Sequence, residues 1–488
     1  MSVTETHGGS AVATPPVLQP DAFFELLRGA ATGGGRVVAL FGTGAAPGAE
    51  LVAVVATDPL GLLRIARTRT PGGDFPSLTP HLPQVHLFER EIREQTGLVP
   101  TGHPWLKPVR FTRPGDTIGV MDFFAIEGES VHEVGVGPVH AGIIEPGHFR
   151  FQCHGETVFH LEISLGYQHR GVERALLQGP GKRALHLAET LAGDTTIGHA
   201  TAYCDALEAL ADVRVPPRAQ AIRAVALELE RLANHIGDLG AMAGDVAFLP
   251  TASYCGRIRG DFLNLTASIC GNRFGRSLVV PGGVAFDITP AMADDLGRRL
   301  AAAERDAQGA VDLLWDAPSV MARFEDIGVV PAALASELGL VGPAARAAGL
   351  SQDVRHDHPS GLFKLASIPL STASRGDVYS RARVRWLECV RSIAFVREAL
   401  ATLPQGPVLA PMRPLRPDRI VTTLVEGWRG EIAHVVGTDH SGRISRYKVV
   451  DPSFHNWMGL AMALRDQAIS DFPLCNKSFN LSYCGHDL

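Results

Sequence analysis

The stretch LHLAETLAGDTTIGHATAYCDALEAL, residues 185–210, decides how the rest of the chain is interpreted. Apolar residues recur at helical spacing on both sides of a small, polar middle section, residues 192–198. This pattern predicts a helix start or a bend, because glycine, aspartate and threonine interrupt helices and favour their ends. The middle section is too polar for a wholly apolar environment, so we expect it to face something other than a hydrophobic core.

The composition is that of an ordinary globular protein. Of the 488 residues, 45% are apolar and 20% are charged, which suits two or three domains. The formal net charge of −6 argues against nucleic acid as the main partner. No apolar run reaches the roughly 18 residues that a membrane span requires. Residues 1–19 lack a signal core and predict a disordered tail, so we expect a cytoplasmic chain, either soluble or peripherally attached to a membrane.

The cysteines do not form a metal-binding motif in the sequence. No two of the seven are separated by only two residues, so Cys-x-x-Cys is absent. Scattered cysteines in a large cytoplasmic protein are most often buried, reduced thiols. The seven are Cys153, Cys204, Cys255, Cys270, Cys389, Cys475 and Cys484.

Residues 20–125 are predicted to form a first unit. A short helix and two strands are predicted at residues 21–28, 36–40 and 51–57. Further on, HLFEREIREQTGLVPTGHPWLKPVRF, residues 86–111, resembles the 30-kDa subunit of respiratory complex I. The resemblance implies a module that binds no cofactor and packs against the large subunit. Within it, residues 89–91 are predicted to be a solvated helix start.

Residues 126–488 are predicted to form a second unit that opens with a β-hairpin. Its turn residues lie between alternating flanks, and its tip carries His140 and His148. The hairpin resembles that of the complex I 49-kDa subunit and of group 4 hydrogenases. In the complex I relatives a histidine of this loop hydrogen-bonds the quinone headgroup, which makes both histidines candidate catalytic residues. The alternative is a surface hairpin with two solvated histidines.

Several polar residues of the second unit are predicted to pair. Arg170 and Glu173 lie three residues apart and would share a helical face, either as a structural ion pair or near the site. A long helix is predicted over residues 218–242, with Glu228, Arg231 and His235 beside its apolar stripe. Buried polar groups need partners, so we expect a hydrogen-bond network between helices. A second long helix and a strand pair are predicted at residues 376–393 and 425–436.

The opening stretch resembles the first metal-binding segment of group 4 nickel–iron hydrogenases. In that family four positions read Cys-Gly-Ile-Cys, whereas here they read Ala192, Gly193, Asp194 and Thr195. At the C-terminus, the two cysteine positions of the second motif are filled by Ser482 and Gly485, with Cys484 one residue out of register. A nickel–iron centre of this family needs four thiolates, so we expect none here.

The replacements leave room for a different pocket. Its predicted cofactor-binding or acceptor-binding lining is Ala192, Gly193, Thr195, Ser482 and Gly485. Complex I has also lost the cysteines and binds a quinone headgroup, but it carries a tyrosine at the position of Gly193. Asp194 and His199 are predicted to form a proton relay, as candidate catalytic residues. The alternative is a helix N-cap and its neighbour, since Asp and Thr suit that position.

The resembling blocks cover about residues 80–488 in the family's order. We identify the chain as a fused complex I 30-kDa/49-kDa-type subunit, related to the branch of hydrogenase-4 component G and the formate hydrogenlyase large subunit, without nickel ligands. The resemblance implies an α+β fold. A 30-kDa-like α+β module would be followed by a mainly helical large-subunit domain with a β-hairpin region.

The same resemblance implies a redox subunit of a membrane-associated, ion-translocating complex, peripheral on the inner face of the cell membrane. Its acceptor, such as a quinone, would lie beside a 4Fe–4S cluster in a 20-kDa-like partner subunit, with antiporter-like membrane subunits beyond. No cofactor is expected in this chain itself, and no Gly-x-Gly-x-x-Gly unit for NAD(H) occurs in it. Two alternatives stay open: a non-catalytic coupling scaffold between the Fe–S subunit and the membrane arm, and a true hydrogenase.

Overall fold

The computed structural model describes residues 3–488 and has an α+β architecture. In the N-terminal part, five strands form one sheet in the order β1-β6-β5-β4, with β3 parallel to β6. The sheet strands are β1 (Thr4–Thr6), β3 (Val17–Leu18), β4 (Arg36–Thr43), β5 (Glu50–Thr57) and β6 (Leu62–Arg69). Two helices, α1 (Pro20–Thr32) and α2 (His86–Thr96), pack on this sheet, and β7 (Asp74–Pro76) pairs in parallel with β8 (Val99–Thr101).

The predicted disordered tail is instead paired with two sheets. Strand β1 pairs antiparallel with β6, and β2 (Val12–Ala13) pairs with β14 (Arg419–Gly427) in the C-terminal part of the chain. Outer strands of a sheet present unpaired backbone groups, and these short segments satisfy them. Composition carries no information about such distant edges, which is why the sequence prediction was wrong for this segment. Met1 and Ser2 lie outside the described residues.

The start of helix α2 is not solvated, so the prediction of a solvated helix start at residues 89–91 is wrong. Glu89 and Glu91 are fully buried. Glu89 accepts hydrogen bonds from the Ser77 hydroxyl and from the backbone N–H of Leu78. Glu91 is ion-paired with Arg110 at 2.5 Å. Both carboxylates are therefore paired inside the protein, as buried polar groups generally are.

The second part begins with a three-stranded antiparallel sheet, one strand more than the predicted hairpin. It comprises β9 (Val131–Val136), β10 (His148–His154) and β11 (Thr157–Ser164), in the order β11-β10-β9. A second sheet, in the order β16-β15-β14-β2, includes β15 (Gly430–Thr438) and β16 (Ile444–Val450). Strands β12 (Val279–Val280) and β13 (Gly283–Val284) form a separate short pair.

Helices make up most of the second part. Two of them confirm the helices predicted at 218–242 and 376–393. Helix α6 (Pro217–Asp245) is slightly longer at both ends, whereas α13 (Val378–Ala401) begins two residues later and ends eight residues later than predicted. The helices are α3 (Val172–Leu176), α4 (Lys182–Glu189), α5 (Thr196–Ala211), α6 (Pro217–Asp245), α7 (Leu249–Cys270), α8 (Pro290–Trp315), α9 (Pro318–Phe324), α10 (Ala332–Glu337), α11 (Gly342–Ala347), α12 (Val354–Asp357), α13 (Val378–Ala401), α14 (Pro452–Ala463) and α15 (Phe472–Phe479). Short 3-10 turns occupy residues 58–60, 83–85, 361–364 and 469–471.

Helix α6 lies at the centre of the second part. It packs against α7, α13 and α5, and α5 in turn packs on β14 and β15. This arrangement buries the apolar stripe predicted from the helical spacing. Between Val3 and Leu488, no helix combines the length and the apolar character needed to cross a lipid bilayer. The predicted boundary between residues 125 and 126 stays a prediction.

The polar side of α6 forms the predicted network between helices. The Arg231 guanidinium donates to Glu228 on its own helix and to Glu388 on α13, and His235 lies 2.9 Å from the same Glu388 carboxylate. Arg346 of α11 pairs with Glu388 and with Glu426 of β14, both at 2.8 Å. All these groups are buried, so each charge depends on its partners for compensation.

Candidate functional site

Three segments distant in sequence meet at the former metal-ligand positions. They are the turn between α4 and α5, the C-terminal segment after α15, and the loop between β9 and β10. The carboxylate of Glu145, in that loop, accepts from the backbone N–H of Tyr483 at 2.7 Å and from the Ser482 hydroxyl at 3.2 Å. The Cys484 thiol donates to Glu145 and to the carbonyl of Leu191. Glu145 thus joins the loop to the C-terminal segment.

The predicted pocket-lining residues come together here, but with different exposure. Ala192, Thr195, Ser482 and Gly485 are buried, whereas Gly193 is exposed. A Cβ added at Gly193 would meet no atom within 4 Å. Gly193 is therefore the one predicted lining residue through which this region opens to solvent.

The residues present do not fit a nickel–iron centre. None of the four former ligand positions carries a thiol. The nearby Cys484 thiol is buried beside the Glu145 carboxylate, and both burial and that charge raise its pKa well above the usual range. Across residues 3–488, no three His, Cys, Asp or Glu side chains are grouped so that they could hold a metal ion.

Asp194 pairs with an arginine and not with His199, which corrects the predicted relay. The Arg429 guanidinium donates to both carboxylate oxygens of Asp194, at 2.6 and 2.8 Å. It also contacts the Thr195 hydroxyl at 3.2 Å and stacks on the Trp428 ring at 3.9 Å. This two-pronged, stacked geometry is the one that arginine forms with carboxylates. The cation fixes the turn that replaces the first ligand motif.

The alternative of an Asp194 or Thr195 cap is also not observed. Thr195 is the N-cap residue of α5, but its side chain makes no capping hydrogen bond. The carboxyl group of Glu230, on α6, takes that role instead. It accepts from the backbone N–H groups of Ile197 and Gly198, at 2.6 and 3.1 Å. A cap supplied from another helix leaves no local signature, so sequence reasoning missed it.

His199 belongs to a buried chain of hydrogen bonds. Its Nε2 lies 3.0 Å from Asp451 Oδ2, and its Nδ1 lies 3.2 Å from His434 Nε2. His434 Nδ1 lies 2.8 Å from the Tyr447 hydroxyl. A carboxylate can only accept, so His199 Nε2–H donates to Asp451. The protonation of the two imidazoles sets the direction of the other two bonds: with a neutral His199, His434 donates to His199 and Tyr447 donates to His434. We name Tyr447, His434, His199 and Asp451 the imidazole relay.

The charges in the relay are set by its surroundings. Burial alone would raise the pKa of Asp451, but the hydrogen bond from His199, together with the Arg429 cation, holds it at about 2. Burial and the neighbouring His199 lower the pKa of His434 well below its usual range. Near neutral pH, Asp451 is therefore ionised and His434 is neutral. Either group can accept a proton in these states.

Gly485 makes room for the carboxylate end of the relay. A Cβ at this position would lie 2.6 Å from Asp451 Oδ2 and 2.7 Å from its Cγ. The Asp451 side chain is fixed in turn, because its Oδ1 caps α14 by accepting from the backbone N–H of Ser453. The former ligand position is therefore occupied by the edge of a carboxylate.

The two candidate histidines of the loop lie in different environments. His140 is half-buried, its ring centroid is 6.2 Å from that of Tyr483, and its Nε2 lies 2.8 Å from the carbonyl oxygen of Gly147. His148 contacts Phe123 on the face of β10 opposite to Phe149. The structure thus brings His140, but not His148, to the C-terminal segment. Catalytic roles for both stay predictions.

Arg170 and Glu173 do not pair with each other, so that prediction is wrong. Arg170 donates to the backbone carbonyls of Thr190 and Leu191, at 2.7 and 3.0 Å. Glu173 pairs with Lys448 at 2.9 Å. A spacing of three residues allows contact only on a continuous helix, and α3 begins after Arg170. Arg170 instead fixes the backbone just before Ala192, the first of the former ligand positions.

Replacing Glu230 by glutamine is expected to change how stability depends on pH. Burial raises the pKa of Glu230 to about 8, despite the two N–H groups that lower it. The folded state then binds more protons than the unfolded state between about pH 4.5 and 8, so stability falls as pH rises, by up to about 1.4 kcal/mol per unit. Urea unfolding across this range should show a flatter profile for E230Q. E129Q, an exposed control, should keep the wild-type slope; equal slopes in both variants would contradict the assignment.

Comparison with known proteins agrees with this architecture. Residues 44–120 match the family described as the 30 Kd subunit of respiratory-chain NADH dehydrogenase, and residues 245–419 match its 49 Kd subunit family. The carbon monoxide-induced hydrogenase of Rhodospirillum rubrum is 31% identical over 72% of this chain and 98% of its own length. Formate hydrogenlyase subunit 5 of Escherichia coli is 30% identical over 84% of this chain and 76% of its own length.

A relative among the NADH-quinone oxidoreductase subunits matches over a similar length. Subunit 4 of the Thermus thermophilus enzyme is 27% identical over 70% of this chain and 90% of its own length. The relatives are thus subunits of complex I-type and hydrogenase-type redox complexes, and the fused 30-kDa and 49-kDa regions confirm the resemblance inferred from the sequence. The chain belongs to the family of complex I 49-kDa-type and group 4 hydrogenase-type large subunits, with a 30-kDa-type region fused at its N-terminal side.

Proposed function

We propose that this chain forms one wall of an acceptor site in a membrane-associated, ion-translocating redox complex, where a quinone-like acceptor takes the place of the nickel–iron centre. The observation that carries the proposal is the imidazole relay, which ends against the former ligand position at Gly485. An organic acceptor that gains electrons must also gain protons, and buried hydrogen-bonded imidazoles are suited to deliver them.

The second wall would come from a partner with an Fe–S cluster. Apolar side chains of the loop between β9 and β10 are strongly exposed, namely Val139 at 74%, Ile143 at 88% and Ile144 at 49%. Exposed apolar clusters mark protein–protein interfaces. A 20-kDa-like Fe–S subunit docked on them would cover the open side at Gly193. On the same reasoning, the complex would include antiporter-like membrane subunits and lie on the inner face of the cell membrane.

The residues of this chain would position the acceptor and move protons. A bound quinone accepts two electrons and two protons. His140 is placed to donate a hydrogen bond from the loop side once its ring is released from the Gly147 carbonyl. Arg429 keeps the 192–195 turn in place through Asp194. With a neutral His199, the imidazole relay would pass protons towards Asp451, behind the C-terminal segment.

The test is electron transfer from the purified complex to a soluble quinone. Metal analysis first gives nickel and iron per copy of this chain; iron without nickel is expected. The complex is then reduced with dithionite, freed of excess reductant and mixed with decylubiquinone, while electron paramagnetic resonance follows reoxidation of the Fe–S cluster. Quinone-dependent reoxidation supports the proposal. Nickel near one per chain, or reoxidation that ignores quinone, would refute it.

The His199→Gln variant is expected to slow this reoxidation about a hundredfold, because general acid–base groups contribute factors of this size. In the wild type, the rate of reoxidation should depend on pH through the titration of the imidazole relay. His199→Gln should lose that pH dependence, an effect that a purely structural role would not produce. His132→Gln is the matched control, since His132 is exposed on β9. A rate and pH profile equal to those of the control would remove His199 from the mechanism.

A second candidate function is a non-catalytic coupling scaffold. It is favoured by the mutual satisfaction of polar groups at the former ligand positions, where Arg429 holds Asp194 and Glu145 holds Ser482. A scaffold predicts a complex that assembles with iron but shows no quinone-dependent reoxidation. In that case His199→Gln should leave all electron-transfer rates unchanged.

A further inference from the structure

The C-terminal segment of the candidate site is held from the N-terminal part of the chain. This segment, residues 480–488, follows α15 and carries Ser482 and Gly485 at two of the former ligand positions. It is buried from residue 481 to its end. The side chain that reaches it is Arg110, which lies within the 30-kDa-type region. Its partners in the segment lie 376 and 377 residues further along the chain.

Arg110 binds the backbone of the segment with two separate nitrogens. Its Nε donates to the carbonyl oxygen of Asp487 at 2.7 Å, and its Nη2 donates to the carbonyl oxygen of His486 at 2.8 Å. The third nitrogen, Nη1, pairs with Glu91 of α2 at 2.5 Å. A guanidinium presents its donors in a rigid plane, so one side chain can hold two carbonyl groups at a fixed separation.

Burial strengthens this contact. Only 2% of the Arg110 side chain and none of the Glu91 side chain is exposed. Burial opposes the charge of Arg110, but Glu91, Glu173 and Asp487 raise the pKa of the guanidinium above its usual range. The donor is therefore charged, and hydrogen bonds from charged donors are stronger than neutral ones. No water can replace them at so buried a position, so their loss would leave two carbonyl groups unpaired.

The two carbonyl groups lie next to the part of the segment that meets the imidazole relay. Gly485 precedes His486, and a Cβ on Gly485 would lie 2.6 Å from Asp451 Oδ2. The His486 ring stacks on Phe454 of α14, with ring centroids 3.6 Å apart. Helix α14 is the helix that Asp451 caps. A shift of the backbone at residues 486–487 would therefore change the contact between Gly485 and Asp451, and it would move Ser482 as well.

Other groups hold the segment from within the large-subunit region. His169 Nδ1 lies 2.6 Å from the Asp487 carbonyl oxygen, and Lys448 Nζ lies 3.0 Å from His486 Nε2. Among the described residues, Arg110 is the one that donates to both carbonyl groups. It therefore ties the position of the segment to that of the N-terminal part of the chain.

We propose that Arg110 is a positioning residue of the acceptor site, through which the 30-kDa-type region sets the place of the wall that carries Ser482 and Gly485. This inference rests on the proposed acceptor function. Arg110 acts only through the C-terminal segment, because its three partners are Glu91 and the two backbone carbonyl groups. The N-terminal region thus contributes to the site itself, beyond the packing role expected from the sequence.

The experiment compares R110K with R90K in the purified complex. Lysine keeps the positive charge beside Glu91, but its single nitrogen cannot reproduce the planar fork. Arg90 is the matched control, because its Nε and Nη2 also donate to two carbonyl oxygens, those of Lys107 and Pro108 within the N-terminal region. For R110K, the decylubiquinone concentration that gives half the maximal rate of cluster reoxidation should rise about tenfold, while the maximal rate stays within about twofold. R90K should keep the wild-type concentration.

The outcomes separate positioning from general damage. A lower maximal rate with an unchanged half-saturating concentration would mean fewer intact sites and would overturn the inference. So would equal half-saturating concentrations in R110K and R90K. If the wild type shows no quinone-dependent reoxidation at all, the proposed function fails and this inference fails with it. Hydrogen exchange of the peptide 480–488 should also be about tenfold faster in R110K than in R90K, and equal rates would show that Arg110 does not hold the segment.

A second variant covers the case in which R110K does not assemble. The double variant E91Q/R110Q removes both charges of the buried pair, which avoids leaving one of them uncompensated. Lys448 keeps an acidic partner in it, because Glu173 lies 2.9 Å away. E91Q alone, which retains the fork of Arg110, is the control. The same rise in half-saturating concentration is expected only in the double variant, and its absence there would overturn the inference.

Discussion

Replacing Arg346 by methionine is expected to destabilise the chain by about 3–5 kcal/mol, the typical cost of removing one partner from a buried ion pair. The Arg346 guanidinium lies 2.8 Å from both Glu388 and Glu426, and all three side chains are buried. Methionine fills much of the same space, so the loss is mainly electrostatic. The measurement is the free energy of unfolding in urea, followed by circular dichroism.

The size of this loss should depend on pH, which separates it from a packing defect. Burial tends to raise the pKa of Glu388, and Arg346 is the largest influence that holds it well below its usual range. Burial raises the pKa of Glu426 to about 7, and Arg346 is the largest influence that lowers it. Without that cation the folded-state pKa of Glu426 rises further above the unfolded value. Stability is then lost as pH increases through this window, so R346M should be weaker at pH 8 than at pH 5.5. An equal loss at both values would point to packing instead.

Arg257→Met is the matched control for R346M. Arg257 also has two acidic partners, Asp261 and Asp306, but its side chain is 53% exposed. Exposed ion pairs contribute about 0–1 kcal/mol, because water and salt screen them. Comparable losses in the two variants would show that burial does not set the strength of the network, and the account of the α6–α13 interface would then be wrong.

The sequence predicted those features that depend on local pattern. Helices α6 and α13 follow from apolar spacing, and the polar side chains beside the α6 stripe were expected to bond between helices. The absence of thiolate ligands also follows from the sequence, because it depends only on the residue types at four positions: Ala192, Thr195, Ser482 and Gly485. Such features are encoded within a few turns of chain.

The partners inside the site could not be predicted in the same way. Asp194 meets Arg429 across 235 residues of sequence, His199 meets Asp451 across 252, and Ser482 meets Glu145 across 337. No spacing rule connects positions so far apart. The Asp194–His199 pair was proposed because the two are neighbours in sequence, yet the fold gives each a stronger partner. The paired N-terminal strands were missed for the same reason, since their sheet edges lie elsewhere in the chain.

Gly485→Ala is expected to have the largest effect at the candidate site. The new Cβ would lie 2.6 Å from Asp451 Oδ2, and the carboxylate has little room because it also caps α14. Overpacking of this kind typically costs about 1–3 kcal/mol. Any shift of Asp451 also breaks its hydrogen bond to His199, so quinone-dependent reoxidation should fall with the stability. The measurements are urea unfolding and the rate of cluster reoxidation in the purified complex.

Gly193→Ala provides the stability control for G485A, because the same single methyl group is added at the other former ligand motif. A Cβ at Gly193 meets nothing within 4 Å, and neither glycine has a positive φ that would strain an alanine. G193A should therefore unfold at nearly the wild-type urea concentration, whereas G485A should not. If both variants were equally stable, Asp451 would have to move freely. A carboxylate that moves freely could not hold His199 in a fixed orientation, and the imidazole relay would lose its structural basis.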